Sequence, residues 1–90
     1  MKLSERVDSP VVLVTNYDDW EALYVNGVSV YQGHDIPRDV LVKTCLKAGS
    51  HYCSVYSSYE ELEMTGNFPD QLDDIPVVLE ITTAASQMED

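Results

Sequence analysis

Residues 20–31 read Trp20-Glu21-Ala22-Leu23-Tyr24-Val25-Asn26-Gly27-Val28-Ser29-Val30-Tyr31, and this stretch carries the strongest structural signal in the chain. Asn-Gly accepts the positive φ angles of a type I′ turn, and the flanking residues are mostly β-branched or aromatic, so the stretch predicts a two-residue β-hairpin. The turn sets the register, with Val25 expected opposite Val28 and Leu23 opposite Val30. The other hairpin face is then expected to carry Trp20, Ala22, Tyr24, Ser29 and Tyr31.

Apolar runs on either side of the hairpin predict the other elements. Residues 10–15 are almost wholly apolar, which favours a strand buried on both faces. Ile36-Pro37 opens a predicted helix that runs to Ala48 and is ended by Gly49. One face of this helix is expected to pack on the sheet, and its apolar residues are Leu41, Val42, Cys45, Leu46 and Ala48.

The second half of the chain predicts two more strands. Residues 51–57 form one, and residues 76–82 form the other, with Val77, Leu79 and Ile81 on one face and with Pro76 confined to a strand start or edge. Between them, residues 58–66 open with a capping box that favours a short helix. Residues 67–75 are predicted as a loop with a turn at Pro69-Asp70.

This order of elements predicts one α+β domain over residues 1–90. The sheet is expected to be mainly antiparallel, with about five strands in the order β-β-β-α-β-short α-β and with the long helix packed on one face. A chain of 90 residues builds a single core. Residues 1–9 and 84–90 are expected to be frayed termini.

The chain is strongly acidic, with a formal charge of −11 from 16 acids and 5 bases. Every base precedes residue 48, so residues 48–90 add only negative charge. Direct binding to nucleic acid or to an anionic membrane is therefore disfavoured, and a basic protein surface, such as that of a nucleic-acid-binding protein, is the favoured partner. Acidity also keeps a small protein soluble, which is the simpler explanation.

The amino terminus lacks the apolar stretch of a signal peptide, and the longest apolar run, residues 11–14, is too short to span a bilayer. We therefore expect a cytoplasmic protein, in the host cell cytoplasm if it is encoded by a phage. Cys45 and Cys53 are then expected to be reduced thiols that pack in the fold.

Two enzyme hypotheses can be drawn from the histidines and cysteines. His34, His51, Cys45 and Cys53 are ligand types that suit zinc, but their spacing is not that of structural zinc sites. Cys53 with His51 or His34 suggests a thiol hydrolase, although no base follows residue 47 to lower a thiol pKa. The chain also lacks phosphate-cradling glycine motifs, so no cofactor and no metal are predicted.

The candidate partner-binding residues are carboxylates and aromatic rings. Three acidic clusters occur, Asp18-Asp19-x-Glu21, Glu60-Glu61-x-Glu63 and Asp70-x-x-Asp73-Asp74, and none follows the alternating pattern of a calcium loop. Tyrosine and tryptophan are the residues that most often anchor protein interfaces. If the aromatic face is instead the packed one, these rings belong to the core. The predicted partner-binding set is Trp20, Tyr24, Tyr31, Tyr52, Tyr56, Glu60, Glu61, Glu63, Asp70, Asp73 and Asp74.

The stretch Asp19-Trp20-Glu21-Ala22-Leu23-Tyr24-Val25-Asn26-Gly27, continuing to Tyr31-Gln32-Gly33-His34, resembles a pattern in small uncharacterised bacterial and phage proteins. It covers about a fifth of the chain. The resemblance implies a microbial or viral source and brings no activity, substrate or cofactor with it.

These observations predict a non-enzymatic acidic protein-binding module. The leading hypothesis is a phage-encoded inhibitor of the anti-CRISPR or DNA-mimic type, which occupies a basic nucleic-acid-binding site on a larger partner. The alternatives are an immunity or antitoxin-like partner of a basic toxin, and a small metal- or thiol-dependent hydrolase. An edge strand beginning near Val77 also offers a route to a homodimer.

Overall fold

The computed structural model describes residues 2–16, 20–57, 67–75 and 78–83. Its elements, in chain order, are α1 (Leu3–Arg6), β1 (Val11–Thr15), β2 (Trp20–Val25), β3 (Val28–His34), α2 (Arg38–Ala48), β4 (Tyr52–Tyr56), a 3₁₀ turn (Leu72–Asp74) and β5 (Glu80–Thr82). The predicted short helix at 58–66 and the predicted frayed end at 84–90 lie outside the described residues.

The strands form one mixed sheet in the order β3-β2-β1-β4-β5. Three of its pairings are antiparallel, and β1 with β4 is parallel. The predicted α+β class with a mainly antiparallel five-stranded sheet is confirmed. The apolar run of residues 11–15 occupies the central strand, where both faces of the sheet are covered, and Val11, Val12 and Val14 are all buried.

The hairpin forms as predicted, but its register shifts. Asn26 and Gly27 adopt φ angles of 52° and 85°, which a type I′ turn requires, and Val25 pairs with Val28. A β-bulge then follows, so that Leu23 lies opposite Tyr31 and not opposite Val30. Because the extra residue reverses the alternation beyond it, Tyr31 moves to the face opposite Tyr24, and the predicted placement of Tyr31 was wrong.

The larger core lies on the sheet face that carries Trp20, Ala22 and Tyr24, which we call the core face. Side chains from α1 and from the 67–75 segment cover this face. Residues 1–9 are expected from the sequence to be frayed, but Leu3 lies in the core and residues 3–6 form α1. The buried residues of this cluster are Leu3, Val12, Val14, Ala22, Tyr24, Cys53, Val55, Phe68, Leu72 and Ile75.

Helix α2 lies over the opposite sheet face, which we call the helix face. It ends as predicted, with Gly49 in the left-handed conformation at φ 66° and its N–H bonded to the last turn. Every residue of α2 is described and none is fully buried. The predicted packing face was therefore only partly correct: Leu41 and Cys45 are half-buried, but Val42 and Leu46 are 48% and 75% exposed.

The last strand is shorter than predicted. It begins at Glu80, and the N–H of Leu79 bonds the carbonyl of Tyr56 just before the strand starts. Ile81 is half-buried against the core, whereas Leu79 is exposed. Positions 76 and 77 lie outside the described residues. Among the helices of the described chain, none combines the length and the apolar character needed to cross a membrane.

Candidate protein-binding surface

Three of the predicted carboxylates lie together on the segment that covers the core face. We call Asp70, Asp73 and Asp74 the acidic turn, and all three are exposed. The apolar side chains between and around them, Phe68, Leu72 and Ile75, are buried in the core. The segment thus packs its apolar side chains against the core face of the sheet and exposes its carboxylates to solvent. Burial of these apolar side chains holds the acidic turn in place.

Gln32 on β3 attaches the start of this segment. Its side-chain Oε1 accepts the backbone N–H of Phe68 at 2.8 Å, and its Nε2 donates to the carbonyl of Phe68 at 3.0 Å. The same amide accepts the indole N–H of Trp20 at 3.3 Å and donates to the Ser29 hydroxyl at 3.1 Å. The Gln32 amide therefore pairs with Phe68 as a neighbouring strand would, and satisfies both of its main-chain groups.

Further bonds hold the rest of the segment against the hairpin. The Tyr24 hydroxyl donates to the carbonyl of Pro69. The N–H of Ser29 donates to the Asp70 carbonyl at 2.8 Å, and the N–H of Leu72 donates to the Gly27 carbonyl at 2.8 Å. These last two bonds form a short antiparallel bridge between Val28 and Gln71. The backbone of the acidic turn is consequently fixed to the outer edge of β3.

Helix α1 holds one carboxylate of the acidic turn directly. The backbone N–H of Ser4 donates to Asp73 Oδ1 at 2.8 Å, and the Ser4 hydroxyl donates to Oδ2 at 3.0 Å. The Ser4 backbone bond, then the Ser4 hydroxyl, lower the pKa of Asp73 below its ordinary value of 3.8, and the charge of Lys2 contributes in the same direction. Asp73 is therefore held in one orientation and stays ionised at neutral pH.

The predicted aromatic anchors divide between the two faces of the sheet. Tyr24 is fully buried and belongs to the core. Trp20 is half-buried against the core, with its N–H bonded to Gln32, and its role in binding a partner stays a prediction. Strand alternation and the bulge place Tyr31, Tyr52 and Tyr56 on the helix face. Tyr31 and Tyr56 are 40% and 37% exposed there. Tyr31, Tyr52 and Tyr56 therefore lie on the sheet face opposite the one that the segment with the acidic turn covers.

The other acidic candidates contribute less. Glu60, Glu61 and Glu63 lie outside the described residues. Glu21, which the sequence groups with Asp18 and Asp19, accepts the N–H of Ile36 at 2.8 Å and so supports the chain entering α2. Within residues 2–16, 20–57, 67–75 and 78–83, no three histidine, cysteine or acidic side chains are grouped so that they could hold a metal ion.

The structure also places the residues of the hydrolase hypothesis. Cys53 is fully buried in the core, where its thiol donates to the Thr82 carbonyl at 3.2 Å. His34 packs edge-on against Trp20, with ring centroids 5.0 Å apart. It lies on β3, which β2 and β1 separate from the strand of Cys53, β4. Burial raises the pKa of Cys45, which favours the thiol over the nucleophilic thiolate.

Two residues that matter to this surface were missed by the sequence reading. Gln32 is a polar residue in a predicted strand, and no sequence motif marks it as a contact for another segment. Ser4 lies in the stretch that is expected to be frayed. Strict alternation along the predicted hairpin places Gln32 on the face opposite Trp20. The bulge turns Gln32 to the core face, and the fold brings Phe68 beside it. The Ser4–Asp73 contact spans 69 positions, a separation at which local sequence carries no signal.

The chain was compared with protein-family models, with curated protein sequences and with solved structures, and no match was found in any of the three comparisons.

Proposed function

We propose that this chain is a non-enzymatic, acidic protein-binding module that uses the acidic turn to occupy a basic site on a larger protein. The observation that carries the proposal is the rigid attachment of the turn. Asp70, Asp73 and Asp74 are exposed, while the segment that bears them is bonded to Gln32, Tyr24, Ser29 and Gly27.

Rigid attachment matters because binding costs less free energy when the contacting groups are ordered beforehand. Carboxylates held on a short turn match the guanidinium groups of arginines, which form short, charge-assisted hydrogen bonds with them. Asp73 is already oriented by Ser4 before any partner arrives. The formal charge of −11 adds long-range attraction that steers a basic surface toward the molecule.

A basic surface of this kind is most often one that binds DNA or RNA. In the proposal, the carboxylates of the acidic turn take the place of phosphate groups on such a surface. Small size, high negative charge and the hairpin pattern that resembles phage and bacterial proteins support a phage-encoded inhibitor, of the anti-CRISPR or DNA-mimic type. The host cell cytoplasm is the compartment that this role requires.

The test is a pull-down with two variants of equal charge. One variant carries Asp70→Asn, Asp73→Asn and Asp74→Asn, and the matched control carries Asp35→Asn, Asp39→Asn and Glu80→Gln at exposed positions elsewhere. Each removes three charges from the formal −11, which leaves −8. Tagged wild-type protein is expected to retain a basic, nucleic-acid-binding protein from host lysate at low salt and to release it at high salt.

Loss of that partner from the acidic-turn variant alone, with the control retaining it, supports the proposal. Equal loss from both variants shows that bulk charge and not the turn is responsible. Retention by all three proteins at high salt contradicts phosphate mimicry altogether. Circular dichroism of each variant checks that the fold is intact.

A further inference from the structure

The helix face carries a second surface with a different chemical character. A groove of about 570 Å³ runs between α2 and the start of β4. Its apolar wall includes Leu41, Val42, Leu46 and Tyr52. Val42 and Leu46 are four residues apart, so they lie on one side of α2 on successive turns, and both are exposed. Apolar side chains exposed together beside a groove are typical of an interaction site.

The described residues that line this groove carry one formal charge, the positive charge of Arg38, whereas the whole chain has a formal charge of −11. Arg38 lies one helical turn before Val42, and His51 lies where the chain leaves α2 for β4. Among the described residues that line the groove, none carries a carboxylate. Helix α2 holds three of the five bases of the chain, namely Arg38, Lys43 and Lys47, and a single acid, Asp39.

We infer that this groove binds an acidic, amphipathic segment of a partner protein. Apolar side chains of the segment cover Val42 and Leu46, and its carboxylates meet Arg38. The distance along α2 from residue 38 to residue 46 is about 12 Å, which corresponds to a partner helix of two to three turns. A second copy of α2 in the groove would bring two basic helices together, so charge disfavours self-association there.

The inference does not depend on the proposed function. The acidic turn covers the core face of the sheet, whereas the groove lies on the helix face. The two surfaces also select partners of opposite charge. The failure of one proposal is therefore distinguishable from the failure of the other.

A random peptide library of about twelve residues per member, displayed on phage, provides the probe, since this length covers about three helical turns. Selection is made on the wild-type protein, with counter-selection on Leu46→Glu. Leu46 is 75% exposed, so this substitution leaves the fold intact while placing a carboxylate in the groove. The expected peptides carry net negative charge and apolar residues at three- and four-residue spacing.

Affinity of a selected peptide, measured by fluorescence anisotropy, is expected to fall about tenfold or more in Leu46→Glu and in Arg38→Glu, since ~1.4 kcal/mol corresponds to a factor of ten. Two matched controls should bind the selected peptide with an affinity within about twofold of wild type. Such a change is well below the ~1 kcal/mol that marks an important contact. Arg6→Glu makes the same charge reversal on α1, which covers the opposite face of the sheet, and Leu79→Ser removes an exposed apolar side chain. Both positions lie outside the residues that line the groove.

Three outcomes overturn the inference. The first is the absence of any enriched peptide that distinguishes wild type from Leu46→Glu. The second is the enrichment of basic peptides that bind both proteins, which would leave the acidic turn as the binding surface. The third is dimerisation of the wild type that Leu46→Glu abolishes in sedimentation velocity experiments, which would identify a second copy as the occupant.

Discussion

At the scale of single residues, the side chain of Gln32 joins strand and loop by hydrogen bonds to both main-chain groups of Phe68. Replacing it with alanine leaves a half-buried N–H and a carbonyl without these partners. We expect Gln32→Ala to lower the free energy of unfolding by about 1–3 kcal/mol, the cost of removing one partner from half-buried hydrogen bonds. Urea denaturation measures this change.

Gln71→Ala is the matched control for that experiment, because Gln71 is an exposed glutamine on the same surface. It is expected to change stability by no more than about 0.5 kcal/mol. Amide hydrogen exchange gives a second measurement, in which the N–H of Phe68 exchanges faster in Gln32→Ala than in wild type. Unchanged exchange at Phe68 would show that the Gln32 bond does not hold the segment.

Asp73 makes a residue-scale prediction about pH. Its pKa is lower in the folded state than in the unfolded chain, because Ser4 donates two hydrogen bonds to the carboxylate. The stabilisation is therefore fully present above the unfolded pKa near 3.8 and is lost as the pH falls through the lower, folded value. We expect the free energy of unfolding, measured by urea denaturation, to fall less between neutral pH and pH ~2.5 in Asp73→Asn than in wild type.

Carboxyl-carbon NMR tests the cause of the Asp73 shift. Ser4→Ala removes the hydroxyl donor but keeps the backbone N–H, which is the larger influence on the carboxylate. The pKa of Asp73 is expected to rise only part of the way toward its ordinary value in this variant. A full return would show that the backbone bond contributes nothing, and no change would show that the hydroxyl contributes nothing.

At the scale of elements, the hairpin turn supports both the sheet and the acidic turn. Gly27 has a φ of 85°, and its carbonyl accepts the N–H of Leu72. We expect Gly27→Ala to destabilise the fold by about 1–2 kcal/mol, because a side chain disfavours the left-handed conformation even though nothing lies within 4 Å of the added Cβ.

Gly33→Ala on the same hairpin is the comparison for this prediction. Gly33 does not have a positive φ, and an added Cβ meets only the Tyr31 ring at 3.8 Å, an ordinary contact. Its effect on thermal unfolding is expected to be within about 0.5 kcal/mol. If both alanine variants lost the same stability, the conformational argument for Gly27 would be refuted.

At the scale of the whole molecule, a formal charge of −11 on 90 residues implies that the folded chain repels itself. Salt screens this repulsion over about 10 Å at 0.1 M. The melting temperature is therefore expected to rise between ~0.01 M and ~0.2 M NaCl, as measured by circular dichroism. The melting temperature of the variant Asp35→Asn, Asp39→Asn, Glu80→Gln should rise less, because this variant carries less negative charge. An equal or larger rise would contradict the repulsion argument.

The sequence determined the elements whose signals are local. Asn26-Gly27 specified the turn because few other dipeptides accept two positive φ angles. The apolar run of residues 11–15 specified a strand covered on both faces, and Gly49 specified the end of α2. In each case the physical cause lies within a few residues of the position that reveals it, so pattern and structure agree.

The tertiary structure alone decided which surfaces face solvent. A bulge at one position turned Tyr31 to the opposite face, and alternation could not reveal it because an extra residue carries no composition signal. The acidic turn became a fixed surface only when Gln32 met Phe68 and Ser4 met Asp73, across 36 and 69 positions. Contacts at such separations depend on how the strands are ordered in the sheet, and that order emerges from packing the whole chain.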